Sequence, residues 1–176
     1  HGIVLGDKKI VIVTAHRREN FGKGLANIFG AVKEIAEKNH DLLFIIPVHP
    51  NPRVQAQAKE ILQSRGNIIL TSPIAYEPFI YLMSRSYFIL SDSGGKQEEV
   101  SVLGKPILVM REKTERGEGV SAGNAKLIGA SREAIVESVF ALINDKSVYE
   151  SMSKKHTEYG DGTSCVKIAD AIGKHF

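Results

Sequence analysis

Ser91-Asp92-Ser93-Gly94-Gly95-Lys96-Gln97-Glu98-Glu99 is the stretch that decides the fold. The apolar run Tyr87-Phe88-Ile89-Leu90 precedes it, too short for a helix and suited to a buried strand. After it, Gln97, Glu98 and Glu99 with Val100, Val102 and Leu103 predict a helix that stops at Gly104-Lys105-Pro106. A strand entering a helix through Ser-Gly-Gly presents unpaired backbone N–H groups and the positive end of the helix dipole to an anion. Two glycines also let a bulky ligand approach the backbone. Ser-Gly-Gly makes an ordinary tight turn as well, so a phosphate site here depends on what else converges on it.

Working outward, Lys8 to Thr14 is a β-branched run expected of a strand covered on both faces. A polar burst, Ala15-His16-Arg17-Arg18-Glu19-Asn20-Phe21-Gly22-Lys23-Gly24, leads to a helix with Leu25, Ile28, Phe29, Val32, Ile35 and Ala36 on one face. Leu42 to Ile46 predicts a second strand, ending in Pro47-Val48-His49-Pro50-Asn51-Pro52. A helix follows over Val54, Ala58, Ile61 and Leu62 and ends at Gly66-Asn67; then come a short strand at Ile68–Leu70 and a helix near Tyr76–Arg85. Beyond the opening segment, Ile107–Met110 is a strand. The Gly-rich segment Glu115–Gly119 reads as a loop, and 126–128 as a weak strand. Ser131 is a plausible N-cap for the next helix, Tyr149–Lys155 predicts a short helix, Tyr159-Gly160-Asp161-Gly162 a turn, and Cys165–Lys174 a terminal helix.

Alternating strands and helices predict an α/β sandwich with a mainly parallel sheet. In such sheets ligands bind beyond the carboxyl ends of the strands, where strand order reverses. The unusual polar residues fall there: His16 after the first strand, His49 after the second, Ser93 and Gly94 after the fourth, Arg116 after the fifth. The expectation is one ligand-binding face.

The chain has 176 residues, 43% hydrophobic and 24% charged, which suits a globular protein of one domain or two small ones. A formal charge of +3, with no basic run interleaved with aromatics, gives no support to nucleic acid as a partner. The single cysteine, Cys165, excludes an internal disulfide and fits a reducing, cytoplasmic setting. No stretch approaches the roughly 20 apolar residues that span a bilayer. The first residues, His1, Gly2, Ile3 and Val4, lack an initiator Met and a signal peptide's basic start, and look like a cut in a longer chain.

Each candidate has a bland reading beside the functional one. His16-Arg17-Arg18-Glu19 can bind an anion, with His16 donating to a phosphate or shuttling a proton, or can be a solvated loop of local ion pairs. His49, set among three prolines, is either an oriented functional group or a capping or core histidine. Glu99, one helical turn beyond Gly95, can accept from the hydroxyls of a sugar or stand as an exposed helix carboxylate. Phe79 can stack on a base or belong to the core. Arg116 can grip a phosphate bidentately or pair with Glu115 and Glu118. The six histidines show no metal-ligand spacing, and dinucleotide and P-loop fingerprints are missing, so no metal and no redox cofactor is expected.

Together, Val13-Thr14-Ala15-His16-Arg17-Arg18-Glu19-Asn20-Phe21-Gly22, Pro47 to Pro52, Ser91 to Glu99, Leu103 to Pro106, Thr114-Glu115-Arg116 and Tyr159 to Gly162 resemble the non-hydrolysing UDP-N-acetylglucosamine 2-epimerases. The resemblance implies a Rossmann-like three-layer sandwich, one half of a glycosyltransferase-B architecture. Residues 1–176 would be the carboxyl-terminal UDP-binding domain, without the amino-terminal catalytic partner, and inactive alone. It implies interconversion of UDP-GlcNAc and UDP-ManNAc by anti elimination of UDP and re-addition, without a cofactor, in a full-length homodimer serving cell-envelope polysaccharide synthesis. The matching positions imply Phe79 along the uracil and Glu99 on the ribose. Ser93, Gly94, Gly95 and Arg116 would lie on the diphosphate, with His16 beside it. Arg17, Glu19 and His49 match the site of an activating second UDP-GlcNAc. Two departures stand out: Lys96 replaces a usual aliphatic residue, and Gly117 and Gly119 predict a floppier Arg116 loop. Half of a UDP-sugar glycosyltransferase and a non-catalytic nucleotide-binding module remain the alternatives.

Overall fold

In the computed structural model Lys9–Thr14 forms β1, buried at every residue after Lys9. The structure describes residues 7–63 and 66–175, and the opening residues read as a cut lie outside them. The other strands are β2 (Leu42–Pro47), β3 (Ile68–Thr71), β4 (Phe88–Ser91), β5 (Ile107–Val109) and β6 (Ala125–Leu127). All pairings are parallel, in the order β3-β2-β1-β4-β5-β6. Chain order therefore reverses between β1 and β4, and the loops leaving these two strands diverge and open a crevice.

Strand alternation sorts the apolar residues onto two faces. Val11, Val13, Phe44, Phe88, Leu90 and Leu108 join the buried stripes of α1 (Lys23–Lys38), α2 (Pro52–Leu62) and α6 (Arg132–Asn144) in one core. Ile10, Ile12, Leu43, Ile45, Ile89 and Val109 pack on the other face with Phe79 and Met83 of α3 (Tyr76–Arg85) and Val100 of α4 (Gly94–Leu103). The expected three-layer α/β sandwich is thus the observed one.

Helix ends follow local chemistry. The Asn51 side chain caps α2 by accepting from the Arg53 N–H, with Pro52 at the first helical position. The Ser131 hydroxyl accepts from the Ala134 N–H at 3.2 Å and caps α6 as expected. Two expectations need correction. The segment after Arg116 is not a loop but a five-residue helix, α5 (Gly117–Ser121). The helix expected at Tyr149–Lys155 is α7 (Lys146–Met152), which starts earlier because the Asp145 carboxylate accepts from the Ser147 and Val148 N–H groups. The last helix, α8 (Ser164–His175), buries none of its residues and exposes Val166, Ile168 and Ile172.

Gly104 ends α4 in the left-handed region at φ 65°. A methyl group there would lie 2.8 Å from Lys155 Cγ and 3.1 Å from the Ser153 carbonyl oxygen. Gly104→Ala is therefore expected to cost on the order of 1–3 kcal/mol, read from urea unfolding; an unchanged midpoint would overturn that account of the turn.

Candidate functional site

The crevice between β1 and β4 is organised by Asp92, the residue after β4, whose side chain is fully buried. Its carboxylate accepts from the His16 N–H at 2.9 and 3.2 Å, from Arg17 N–H at 2.8 Å and from Asn20 Nδ2 at 3.0 Å. A buried carboxylate needs such partners, and these fix the path of the loop leaving β1. Alongside it, the Thr14 and Ser91 hydroxyls bond at 2.7 Å, and Ser91 Oγ accepts from the Ser93 N–H at 3.0 Å. Ser93 therefore has no backbone donor to offer a ligand, which corrects that part of the expectation; its hydroxyl does not cap α4. The first-turn N–H groups of Gly94 and Gly95 are left without a side-chain cap.

Two guanidiniums meet at this helix terminus. A methyl group on Gly94 would lie 3.4 Å from Arg17 Nη2, 3.7 Å from Arg116 Cζ and 3.1 Å from Glu115 Oε1. Arg17 Nε is buried without a hydrogen-bond partner. Arg116 is held by Glu98 at 2.8 Å and Glu115 at 3.0 Å. Arg111 continues the alternation of charge, 3.1 Å from Glu115 and 2.8 Å from Glu19. Pairing with Glu98 and Glu115 raises the tendency of Arg116 to keep its proton.

The Arg116 segment is also tied down, contrary to the floppiness expected from Gly117 and Gly119. Thr114 Oγ1 accepts from the Arg116 N–H and donates to Gln97 Oε1, each at 3.1 Å. Tyr159 Oη accepts from the Gly119 N–H at 2.8 Å and donates to the Arg116 carbonyl at 3.2 Å. A methyl group on Gly119 would lie 2.8 Å from that phenol oxygen, so the glycine is what admits Tyr159.

Next to the anion cradle lies a cleft of about 210 Å³ lined by His16, His49, Phe79 and Lys96, among others. The His16 and His49 rings stack, with centroids 5.6 Å apart and planes 6° from parallel. His49 is exposed, which excludes the core reading, while its Nδ1 accepts from the Asn51 N–H at 3.2 Å and so caps the turn leading into α2, as the alternative reading allowed. Phe79 is 6% exposed and packs in the core while lining the cleft. Glu99 accepts from Lys96 at 2.7 Å. Glu19 stands apart from His49, lining a separate depression with Arg111.

His16 is half-buried, and its Nδ1 lies 3.4 Å from Asp92 Oδ1. That geometry favours the proton on Nδ1 and leaves Nε2 as the free base. Burial is the larger influence and lowers the His16 pKa below 6.5; Asp92 opposes it, while His49, Arg17 and Lys96 add to it. His16 is thus a neutral base at neutral pH. On acidification through 6.5 the unfolded chain takes up a proton that the folded chain refuses, so this group withdraws stability as pH falls. Proton NMR should place the His16 midpoint below 6.5, and Asp92→Asn should lower it further. A wild-type midpoint above 6.5 would contradict this balance.

Sequence reading passed over Asp92, Asn20, Gln97, Thr114 and Glu98. The one available signal was Asp92 itself, a carboxylate directly after a short strand that is apolar up to Ser91. No helix among the described residues is long and apolar enough to cross a membrane. No group of three or more His, Cys, Asp or Glu residues among them could hold a metal ion.

Known proteins share both the sequence pattern and the fold. The UDP-N-acetylglucosamine 2-epimerase family model matches residues 1–173. The UDP-N-acetylglucosamine 2-epimerase of Campylobacter jejuni is 53% identical over 168 residues, 96% of this chain and 44% of that protein. The structure of the Neisseria meningitidis UDP-GlcNAc 2-epimerase bound to UDP-GlcNAc superposes with a TM-score of 0.94 at 44% identity, covering 97% of this chain and 46% of the other. A Staphylococcus aureus MnaA–UDP structure gives 0.93 at 43% identity, covering 96% and 46%. This chain spans about half the length of these relatives. It belongs to the UDP-N-acetylglucosamine 2-epimerase family.

Proposed function

We propose that residues 1–176 form the UDP-binding half of a UDP-N-acetylglucosamine 2-epimerase. The observation that carries the proposal is the convergence of Arg17, Arg116 and the uncapped N-terminus of α4 on Gly94, at the reversal of strand order. This is an anion cradle on the edge where α/β sheets take their ligands. Relatives at 44% and 43% identity were solved with UDP-GlcNAc and with UDP.

In this reading the diphosphate lies over Gly94 and Gly95, gripped by Arg116 and by the Ser93 hydroxyl. The ribose hydroxyls donate to Glu99, and the base lies along the part of the Phe79 ring that lines the cleft. His16 Nε2 faces the diphosphate and can take or return a proton there. The chemistry is elimination: the C2 proton and the C1–oxygen bond to UDP are lost together, leaving a 2-acetamidoglucal. UDP then adds back to C1, and a proton returns to the opposite face of C2. The described residues hold the leaving group, and the groups that act at C2 belong to a preceding half. A cleft of about 210 Å³ is below the roughly 300–1,000 Å³ of a complete ligand pocket, which supports a site closed by a second half. A cytoplasmic full-length homodimer completes the proposal, with Arg17, at the border of the diphosphate cradle, and His49 available to an activating second sugar nucleotide; Glu19, paired with Arg111 in a separate depression, does not join them in the free protein.

The test is calorimetry of the chain with UDP, expected to show saturable binding; no heat at millimolar UDP would sink the proposal. Arg116→Ala and Glu99→Ala should each weaken binding roughly ten-fold or more, the scale of a lost hydrogen bond to a charged group. A wild-type affinity in either variant would remove that residue from the site. In a full-length protein carrying this domain, proton NMR should show UDP-ManNAc accumulating from UDP-GlcNAc, and transfer of the sugar to an acceptor instead would favour the glycosyltransferase alternative.

A further inference from the structure

Lys96 is the charged side chain lining this cleft that the proposed function leaves unused. It is the third residue of α4, where the helix dipole disfavours a cation. Its ammonium nevertheless turns into the cleft, donates to Glu99 Oε2 at 2.7 Å and sits 4.7 Å from the centroid of the Phe79 ring. Both members of the ion pair keep only 22% of their side-chain surface exposed. One cation thus occupies a carboxylate oxygen and one face of an aromatic ring, two groups well suited to a ribose and a base.

We infer that Lys96 is a resident stand-in for the nucleotide, covering Glu99 and Phe79 in the free protein and transferring to the diphosphate when ligand enters. The inference rests on the reading of this cleft as a nucleoside-diphosphate site. A ribose gains the full acceptor capacity of the Glu99 carboxylate, and a base gains the face of Phe79 under the ammonium, only after the ammonium has left both. A nucleoside without phosphates breaks these contacts and offers the freed cation only water. A diphosphate over Gly94 and Gly95 offers it a new anion within one turn of the same helix, reachable by rotation of a flexible four-carbon stem. Lys96 therefore acts as a specificity-determining residue. It penalises nucleosides and spares their diphosphates, and discrimination arises as much from what is obstructed as from what is bound.

The experiment compares uridine and UDP by calorimetry on the chain and on Lys96→Met, which keeps the stem and removes the charge. Lys96→Met should bind uridine about three-fold tighter and UDP about three-fold weaker, so the preference for UDP falls about ten-fold. Lys96→Arg retains the cation and should hold that preference close to wild type. An amide correlation spectrum of each variant verifies the fold. An unchanged UDP-to-uridine ratio in Lys96→Met overturns the inference and reduces Lys96 to a helix-surface partner of Glu99. A parallel loss of both affinities also overturns it, because an obstructing group cannot help a nucleoside bind. Failure of the wild-type chain to bind either ligand is distinguishable from both outcomes, and removes the nucleotide reading itself.

Discussion

One buried carboxylate holds the crevice together. Asp92 follows β4, but three of its four N–H contacts come from the backbone of the loop after β1. That loop carries His16 and Arg17, so a single side chain fixes a base and a guanidinium relative to the helix that starts two residues later. The energetics are asymmetric. Made, a hydrogen bond to a charged group contributes about 1.5–3 kcal/mol net, whereas a buried charge left without its partners costs more than the roughly 1–3 kcal/mol of an orphaned neutral group. The carboxylate is therefore less a source of stability than a constraint on which loop conformations are allowed. The strand-order reversal opens the crevice, and Asp92 decides what lines it.

The rim of the crevice works on a different principle. Glu19, Arg111, Glu115, Arg116 and Glu98 alternate in sign at separations of 2.8 to 3.1 Å, and several are well exposed. Exposed pairs of this kind contribute about 0–1 kcal/mol each, so no member is locked by its partner. What places Arg116 is its backbone, through Thr114 on one side and Tyr159 on the other. The guanidinium is thus delivered to Gly94 by uncharged hydrogen bonds and shielded by carboxylates that an incoming anion can displace.

These two principles explain what the residues disclose before any coordinates. Continuous apolar runs such as Ile10 to Val13 mark strands buried on both faces, and the polar bursts after them mark one edge of the sheet. The sandwich and its ligand face follow from those alone. The contacts within the site do not, because they join residues far apart in sequence: Asp92 to Arg17, and Glu98 to Arg116. Of the two partners that sequence proximity offers Arg116, Glu115 and Glu118, it takes Glu115 and, in place of Glu118, Glu98 from α4. Gly119 suggests looseness in the chain, while in space it is the gap that Tyr159 fills. Asp145 was legible as a helix cap and would have placed α7 correctly.

The charge of the crevice shows why a formal +3 carries so little information. Arg111, Arg116 and Lys96 each have a carboxylate within 3.1 Å, and Asp92 is surrounded by N–H groups. Arg17 is the exception, with a buried Nε that no group among the described residues satisfies. A polyanion entering such a site gains little from long-range attraction, which salt screens within about 10 Å. It gains by exchange: the cations change partners, and the carboxylates they leave return to water or receive hydroxyl donors. Affinity built this way depends on the ligand matching several exchanges at once, so a ligand lacking either its anionic or its hydroxyl part breaks pairs that it cannot replace. Discrimination at this crevice is then a property of the paired state of the free protein, as much as of the contacts made in the complex.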